Sequence, residues 1–246
     1  MVLNIAIVTP TYNEVGNIEN LLTSLQNVSK SHTKDRFSVF VIDDSSPDGT
    51  ADLVKQLAPR LKTKNFNVNL IVRKEKDGLG RAYIFGFKQV LEHTEKFDYI
   101  LQMDADLSHN PAYITGFIHQ ANEGSDFIVA SRYINGGGTP DWPLYRKMLS
   151  HGGNLYTRMI LGSKISDYTG GFNMYKTSLM RKMNIHEISA GGYGFLIELK
   201  HKALRNAKTV SEIPIVFMDR QHGSSKIPKS TLIKNLFLVI KIRVKK

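Results

Sequence analysis

The chain has 246 residues, of which 41% are hydrophobic and 22% are charged, as in ordinary globular proteins. This composition excludes intrinsic disorder, collagen and low-complexity fibres, and the absence of cysteine excludes disulfides and thiolate chemistry. Lysine and arginine number 33 against 22 acidic residues, and the net charge of +11 favours anionic partners such as phosphorylated substrates, nucleic acid or anionic lipid.

The first half of the chain alternates short apolar runs with amphipathic segments. Strands are predicted over 4–10, 37–44, 67–73, 98–106 and 126–133. Helices are predicted between them, over 17–28, 50–62, 79–94 and 111–121. This alternation is typical of βαβ units, so we expect an α/β fold with a mainly parallel central sheet and flanking helices.

The second half is less regular. A glycine-rich loop over 134–142 precedes a predicted helix over 143–161. A segment over 191–207 begins with glycines and continues as a predicted helix, and 209–220 is predicted to be a strand. Since there is no internal repeat and no linker-like composition, we interpret residues 1–228 as a single domain.

The C-terminus differs from the rest in charge. Residues 220–246 contain eight lysines and arginines and no acidic residue, and they enclose the apolar run 232–242. A basic segment with apolar residues is typical of the membrane interface, so we predict a basic amphipathic helix over 229–246 on an anionic membrane. A terminal helix packed on its own domain is the alternative.

Neither a targeting signal nor a membrane span is predicted. The N-terminus lacks the basic start and small-residue cleavage site of a signal peptide. Nowhere do about 18 apolar residues follow one another. We therefore expect a cytoplasmic protein that is peripheral on the cytoplasmic face of the membrane.

Polar or acidic clusters follow three of the predicted strands. They occupy 9–14, 43–50 and 104–109. Because ligands of parallel α/β sheets bind at the carboxyl ends of the strands, the three clusters are expected to form one site. Asp44, at the end of its strand, is placed to accept a hydrogen bond from a nucleobase, whereas Asp48 is interpreted as a helix cap.

Asp104 and Asp106 stand two residues apart after an apolar strand. Two such carboxylates can converge on one cation, and oxygen ligands favour Mg²⁺ or Mn²⁺ over Zn²⁺. In a basic chain the natural task of this cation is to bridge a diphosphate and stabilise it as a leaving group. We interpret the neighbouring His109 as structural, and for Asp167 contact with a donor sugar and capping of a loop both stay open.

Several longer motifs resemble one family. VTPTYNE, DDSSPDGT, GLGRAYIFG, MDADLSHNP, SRYINGGG, DYTGGFNMY, GGYGFLIE and EIPIVFMDRQHGSSK occur in that order over about 4–228. Together they resemble the polyprenol-phosphate (dolichol-phosphate) mannose synthases, which are inverting nucleotide-sugar transferases of the GT-A fold. The resemblance implies transfer of mannose from GDP-mannose to a polyprenyl phosphate, such as dolichyl or undecaprenyl phosphate.

The resemblance also implies roles for individual residues. The nucleotide-sugar pocket would comprise Pro10, Tyr12, Glu14, Ile42, Asp44 and Asp104. The metal site would comprise Asp104 and Asp106, with Ser108 as a weak third ligand where some relatives have glutamine. The acceptor phosphate would be held by Arg132, Arg146, Ser150, Arg220 and Lys226. The predicted catalytic set is Asp106, Arg132, Arg146 and Arg220.

A lipid phosphate as acceptor explains why arginines would matter more than a general base. The second pKa of a phosphate monoester is about 6, so its oxygen is already an ionised nucleophile at neutral pH. No side chain has to remove a proton. The site needs positive charge to bring two anions together, and arginine can hold two phosphate oxygens at once.

Four alternative functions can be weighed against the sequence. Transfer of glucose or another hexose from a UDP-sugar to the same lipid class stays open. A nucleic-acid-binding role is disfavoured because the basic residues concentrate at the C-terminus, and no such partner is expected. A processive polysaccharide synthase is disfavoured by the lack of membrane spans, and an inactive sugar-nucleotide-binding subunit by the intact acidic pair. The expected partners are GDP-mannose, a polyprenyl phosphate and an anionic membrane surface, and the need for a separate membrane subunit stays open.

Overall fold

A computed structural model describes residues 1–188, 193–218 and 229–244. Within these ranges seven strands form one sheet in the order β3-β2-β1-β4-β6-β5-β7. The strands are β1 (Asn4–Thr11), β2 (Arg36–Asp43), β3 (Phe66–Val72), β4 (Tyr99–Gln102), β5 (Phe127–Ser131), β6 (Asn173–Lys176) and β7 (Val210–Pro214).

Eight α-helices connect and flank the strands in the described part of the chain. They are α1 (Val15–Ser31), α2 (Thr50–Leu61), α3 (Leu79–Glu92), α4 (Ile114–Asn122), α5 (Leu144–Leu161), α6 (Thr177–Lys182), α7 (Tyr193–Asn206) and α8 (Lys229–Val244). Short 3-10 turns cover Pro111–Tyr113 and Ile185–Glu187.

Alternation along the strands divides the core into two layers. Ile5 and Ile7 of β1 join the layer under α1, α2 and α4, whereas Ala6 and Val8 join the layer under α3 and α7. Successive side chains of a strand point to opposite faces, so a strand that is buried on both faces carries apolar residues on both. This is why apolar residues predominate in β1 and β2.

The mainly parallel sheet is confirmed, with one antiparallel strand inside it. β1 pairs in parallel with β2 and β4, β2 with β3, and β5 with β7. β6 runs antiparallel between β4 and β5. Neither β6 nor α6 is predicted from the sequence, because four residues of NMYK carry too little periodicity to identify a strand.

Two predicted strands are too long. The strand predicted over 98–106 ends at Gln102, whose pairs with Val8 and Asn173 are the last of its two ladders. The strand predicted over 209–220 ends at Pro214, and a single bridge from Val216 to Gly138 follows in the described residues up to 218. Residues 219 and 220 lie outside the described ranges. The residues released from these strands form loops at the carboxyl edge of the sheet.

The predicted C-terminal helix is present as α8 and packs against α5 and α7. Val239 and Ile242 are buried in the core, and the Tyr156 hydroxyl donates to the Leu236 carbonyl at 3.0 Å. Phe237 and Ile240 are exposed, so apolar side chains lie on both sides of the helix. Among the described residues no helix is long and apolar enough to cross a bilayer.

Candidate active site at the carboxyl edge of the sheet

The loops after β1 and β2 are held together by two aspartates. Asp43 is buried and accepts hydrogen bonds from the Thr11 hydroxyl at 2.8 Å and from the backbone N–H and hydroxyl of Ser46 at 2.9 and 2.6 Å. Asp48 accepts from the first backbone N–H of α1 at 3.1 Å and of α2 at 3.0 Å. Asp48 therefore caps the starts of both helices, the role expected from the sequence.

Asp44 faces a partly buried arginine that no sequence motif singles out. Its Oδ1 accepts from Nη1 of Arg73 at 2.6 Å, and Arg73 also donates to Asp77. Burial raises the pKa of Asp44 and outweighs the opposing effect of Arg73. The pair places a hydrogen-bond acceptor directly beside a donor.

The other residues predicted for the nucleotide pocket differ in how exposed their side chains are. The Tyr12 ring is exposed and lies 3.5 Å from Nζ of Lys76. Glu14 accepts from the Asn17 amide at 2.7 Å. Pro10 and Ile42 pair in register, and Ile42 is fully buried in the core layer against α3. A direct nucleotide contact of these residues stays a prediction.

The acidic pair lies in the loop that follows β4. Oδ1 of Asp104 accepts from the Tyr83 hydroxyl at 2.6 Å. Oδ1 of Asp106 accepts from the backbone N–H of Ser108 at 3.1 Å and from its hydroxyl at 2.6 Å. Ser108 thus orients Asp106, and the position of its hydroxyl favours this role over the weak metal ligation implied by the family resemblance.

His109 has a structural role, as the sequence analysis expects. Its Nδ1 accepts from the backbone N–H of Asp104 at 3.0 Å, so the proton of the neutral ring is on Nε2. Burial lowers the pKa of His109 and keeps the ring neutral. The ring stacks on Phe172 at a centroid distance of 5.0 Å.

Gly171 approaches the acidic pair closely. A Cβ on Gly171 would lie 3.4 Å from Oδ2 of Asp104 and 3.3 Å from Cε1 of His109. The carboxylate oxygens of Asp104 and Asp106 are ligands that suit a hard cation such as Mg²⁺ or Mn²⁺. The described residues contain no group of three or more acidic or histidine side chains that could hold a metal ion.

Arg132 is anchored by a fully buried aspartate. Nε and Nη2 of Arg132 donate to the two carboxylate oxygens of Asp167 at 2.7 and 2.8 Å, and Nη2 also donates to the Thr169 hydroxyl at 2.8 Å. Burial alone would raise the pKa of Asp167, but Arg132 and Lys200 hold it well below its usual range. Asp167 therefore positions Arg132 and caps the loop that follows it.

Lys200 on α7 completes this buried cluster. Its Nζ donates to the backbone carbonyl of Asp167 at 2.6 Å, and the side chain is fully buried. Burial lowers the pKa of Lys200 to about 8. The sequence contains a signal for this position, because Leu196 and Ala203 place Lys200 in the apolar stripe of α7.

Trp142 brings the two described arginines of the predicted acceptor set together. The guanidinium carbon of Arg146 lies 3.9 Å from the Trp142 ring centroid, and that of Arg132 lies at 5.4 Å. The Ser150 hydroxyl shares a hydrogen bond of 2.5 Å with the Tyr133 hydroxyl. Two further members of the predicted set lie outside the described residues, Arg220 and Lys226.

Phe217 connects the cationic cluster to the acidic pair. Its ring lies 6.1 Å from His109, 5.7 Å from Trp142 and 5.6 Å from the guanidinium carbon of Arg132. Nε2 of His109 lies 4.0 Å from Oδ2 of Asp104. One compact site therefore presents two carboxylates next to two guanidinium groups.

The sheet order, with this acidic pair and cationic cluster at its carboxyl edge, defines a glycosyltransferase of the GT-A type. Residues 6–183 match the family described as Glycosyl transferase family 2, and the chain belongs to this family. An undecaprenyl-phosphate mannosyltransferase of Micrococcus luteus is 35% identical over 92% of this chain and 88% of its own. A polyprenol monophosphomannose synthase of Mycolicibacterium smegmatis is 34% identical over 95% of this chain and 84% of its own.

Solved structures support the architecture. Mannosyl-3-phosphoglycerate synthase from Rubrobacter xylanophilus superposes with a TM-score of 0.65 at 17% identity, over 99% of this chain and 73% of that one. Glucosyl-3-phosphoglycerate synthase from Mycobacterium tuberculosis in complex with UDP superposes with a TM-score of 0.63 at 17% identity. The superposition covers 98% of this chain and 79% of that one. At such identities the likeness shows the fold alone, and it confirms the predicted GT-A architecture.

Proposed function

We propose that the protein transfers mannose from GDP-mannose to a polyprenyl phosphate, with inversion at the anomeric carbon. The observation that carries the proposal is the juxtaposition of Asp104 and Asp106 with Arg132 and Arg146 around Trp142. Such a site can accommodate two phosphorylated substrates at once. The names of the two relatives, which describe mannose transfer to polyprenyl phosphates, support the same reaction.

On the donor side, Asp44 and Arg73 are proposed to read the nucleobase. A carboxylate acceptor beside a guanidinium donor complements a base edge on which an N–H group adjoins a carbonyl. Guanine and uracil both present such an edge, whereas adenine does not. The family resemblance favours guanine, and the same pair of side chains supports a UDP-sugar as the alternative donor.

Asp104 and Asp106 are proposed to hold Mg²⁺ or Mn²⁺. When bound, such a cation neutralises charge on the diphosphate leaving group. The Mycobacterium tuberculosis glucosyl-3-phosphoglycerate synthase named above has also been solved with Mn²⁺ and UDP-glucose. Ser108 would keep Asp106 in the orientation required, because both donors of Ser108 bond to the same carboxylate oxygen.

On the acceptor side, Arg132, Arg146 and Ser150 are proposed to hold the lipid phosphate, together with Arg220 and Lys226. A phosphate oxygen attacks the anomeric carbon, the bond from this carbon to the diphosphate oxygen breaks, and the electron pair departs with the nucleotide diphosphate. Attack from the opposite face inverts the configuration. The oxygen arrives ionised, so the reaction requires no general base.

We further propose that the protein works as a peripheral protein on an anionic membrane. Exposed apolar side chains on α5 and α8 support this position, and they are Leu144, Tyr145, Met148, Leu149, Leu155, Met159, Phe237 and Ile240. α5 also carries Arg146, so an acceptor with its chain in the bilayer would meet the cationic cluster from this side. The proposed location is the cytoplasmic face of the membrane.

The test is a transfer assay with three labelled donors. GDP-mannose, UDP-glucose and UDP-GlcNAc are each offered with a polyprenyl phosphate, and the label entering the organic phase is counted. We expect transfer from GDP-mannose alone, and none when the lipid is the polyprenol without its phosphate. Transfer from a UDP-sugar instead would establish the alternative, and transfer to the unphosphorylated lipid would overturn the acceptor chemistry.

A further inference from the structure

A cavity of about 420 Å³ lies away from the active site, between the end of α5, α7 and α8. Its polar lining consists of Lys164, His201, Arg205 and Arg243. At 1.5 Å per helical residue, the end of α5 is about 22 Å from Arg146, so this cavity is separate from the cationic cluster around Trp142.

The cations of this cavity lack counter-ions in the part of the chain that the structure describes. Lys164, Arg205 and Arg243 make no ion pair there with an acidic side chain. Tyr168 also lines the cavity, but burial raises its pKa to about 12, so it supplies no negative charge. Like charges gathered around one space repel each other, and an anion within it would relieve the repulsion.

His201 adds an unsatisfied polar atom to the same lining. The side chain is 8% exposed, and among the described residues its Nδ1 has no hydrogen-bond partner. Burial lowers the pKa of His201, and Arg205, Arg243 and, least of all, Lys202 lower it further, against Glu198. A phosphate group is able to satisfy this nitrogen, either through a P–OH donor or as the acceptor for a protonated ring.

We propose that this cavity binds the phosphate group of an anionic phospholipid headgroup. Arginine forks and a lysine around an imidazole have the chemistry that recognises phosphate oxygens. A lipid is the source of the phosphate because Arg243 shares its helix face with the exposed Ile240, three residues earlier. The same part of α8 therefore presents apolar side chains and the rim of the cavity together.

The experiment follows the imidazole resonance of His201 by NMR in the full chain. The probes are short-chain phosphatidylglycerol, short-chain phosphatidylcholine and inorganic phosphate, all below micelle-forming concentration. The test variant is Arg205→Gln/Arg243→Gln. The matched control is Lys202→Gln/Lys241→Gln, which removes the same charge from the same two helices without touching the lining.

Phosphatidylglycerol is expected to shift the His201 resonance and to raise its pKa, and the test variant is expected to bind it about tenfold more weakly than the control. Mannosyl transfer should be equal in the two variants, so that this proposal and the proposed function can fail separately. Equal lipid binding in both variants, or an unmoved His201 resonance, would overturn the site. Binding of phosphatidylcholine or of free phosphate as tight as that of phosphatidylglycerol would overturn the assignment to an anionic lipid.

Discussion

At the scale of single residues, the charged groups of the site are positioned by neighbouring side chains, most of them distant in sequence. Arg132 is held in two places by Asp167, and Arg146 lies over the face of Trp142. Asp104 is oriented by Tyr83 of α3. Each contact restricts a long or exposed side chain before any substrate binds, which lowers the cost of organising the site during the reaction.

Arg146→Lys is expected to lower turnover by about tenfold or more although the charge is kept, because an ammonium group cannot hold two phosphate oxygens. Calorimetry with GDP should show nearly unchanged nucleotide affinity, since Arg146 is proposed to act on the acceptor. The control is Arg60→Lys, near the exposed end of α2. Normal turnover of Arg146→Lys would contradict the acceptor assignment.

Asp106→Asn is expected to reduce turnover by at least about 100-fold, because the divalent cation loses a charged ligand. The folded state should persist, since the amide oxygen of asparagine can still accept from Ser108. Urea midpoints of both proteins check this, and Asp52→Asn on the exposed surface of α2 is the control. Excess EDTA should abolish transfer by the wild type, and full activity in EDTA would refute the metal requirement.

Lys200→Met tests the buried cation by its effect on stability as pH changes. The folded pKa of about 8 lies below the ordinary 10.5, so between these values the unfolded chain binds more protons. The contribution of Lys200 to the free energy of unfolding must therefore rise with pH across this window, by up to about 1.4 kcal/mol per pH unit. Urea unfolding from about pH 7.5 to 10 gives the free energy of unfolding of wild type and variant. The wild-type value minus the variant value should increase as the pH rises. A pH-independent difference would show that Lys200 titrates normally.

At the scale of elements, the glycine-rich loop after β5 determines where Arg132 lies. Gly138 joins this loop to the segment after β7, with its N–H donating to the Ile215 carbonyl at 3.0 Å. Gly137 passes so close to β5 that a Cβ would lie 2.7 Å from the Ser131 carbonyl oxygen and 3.0 Å from the backbone of Arg132. Only glycine allows this approach.

Gly137→Ala is expected to destabilise the protein by about 1–3 kcal/mol, because backbone atoms must shift to admit the methyl group. Gly138→Ala is the matched control, since no atom lies within 4 Å of its added Cβ. Urea unfolding compares the two variants. The first should also lose transfer activity through displacement of Arg132, and equal stability of the two would contradict the close approach.

At the scale of the whole molecule, positive charge and exposed apolar side chains occur together on α5 and α8, two helices that contact each other. α8 contributes Lys241 and Arg243 beside Phe237 and Ile240, and α5 adds the apolar side chains that precede and follow Arg146. The net charge of +11 attracts the whole molecule to an anionic surface, and the apolar side chains supply the contact that salt does not screen.

Phe237→Ser/Ile240→Ser is expected to weaken flotation with anionic vesicles, because apolar area that would enter the interface is lost. Substitution is sharper than deletion of 229–246, which would also uncover the core around Val239 and Ile242. Val72→Ser/Leu79→Ser, at exposed positions on other elements, is the control. Residual binding should fall as NaCl is raised from about 0.1 to about 1 M. Unchanged flotation of the α8 variant would contradict contact of Phe237 and Ile240 with the membrane.

By itself, the sequence determined the alternation of strands and helices, the mainly parallel sheet and the place of the acidic clusters. These follow from local periodicity and from the rule that parallel strands end at one edge of the sheet. Asp104 and Asp106 could therefore be placed at this edge before any contact was known. Only the tertiary structure decided the insertion of β6, the pairing of Arg132 with Asp167 and the burial of Lys200 beside them. These features join segments far apart in the chain, and such pairings depend on packing and register that no local pattern encodes.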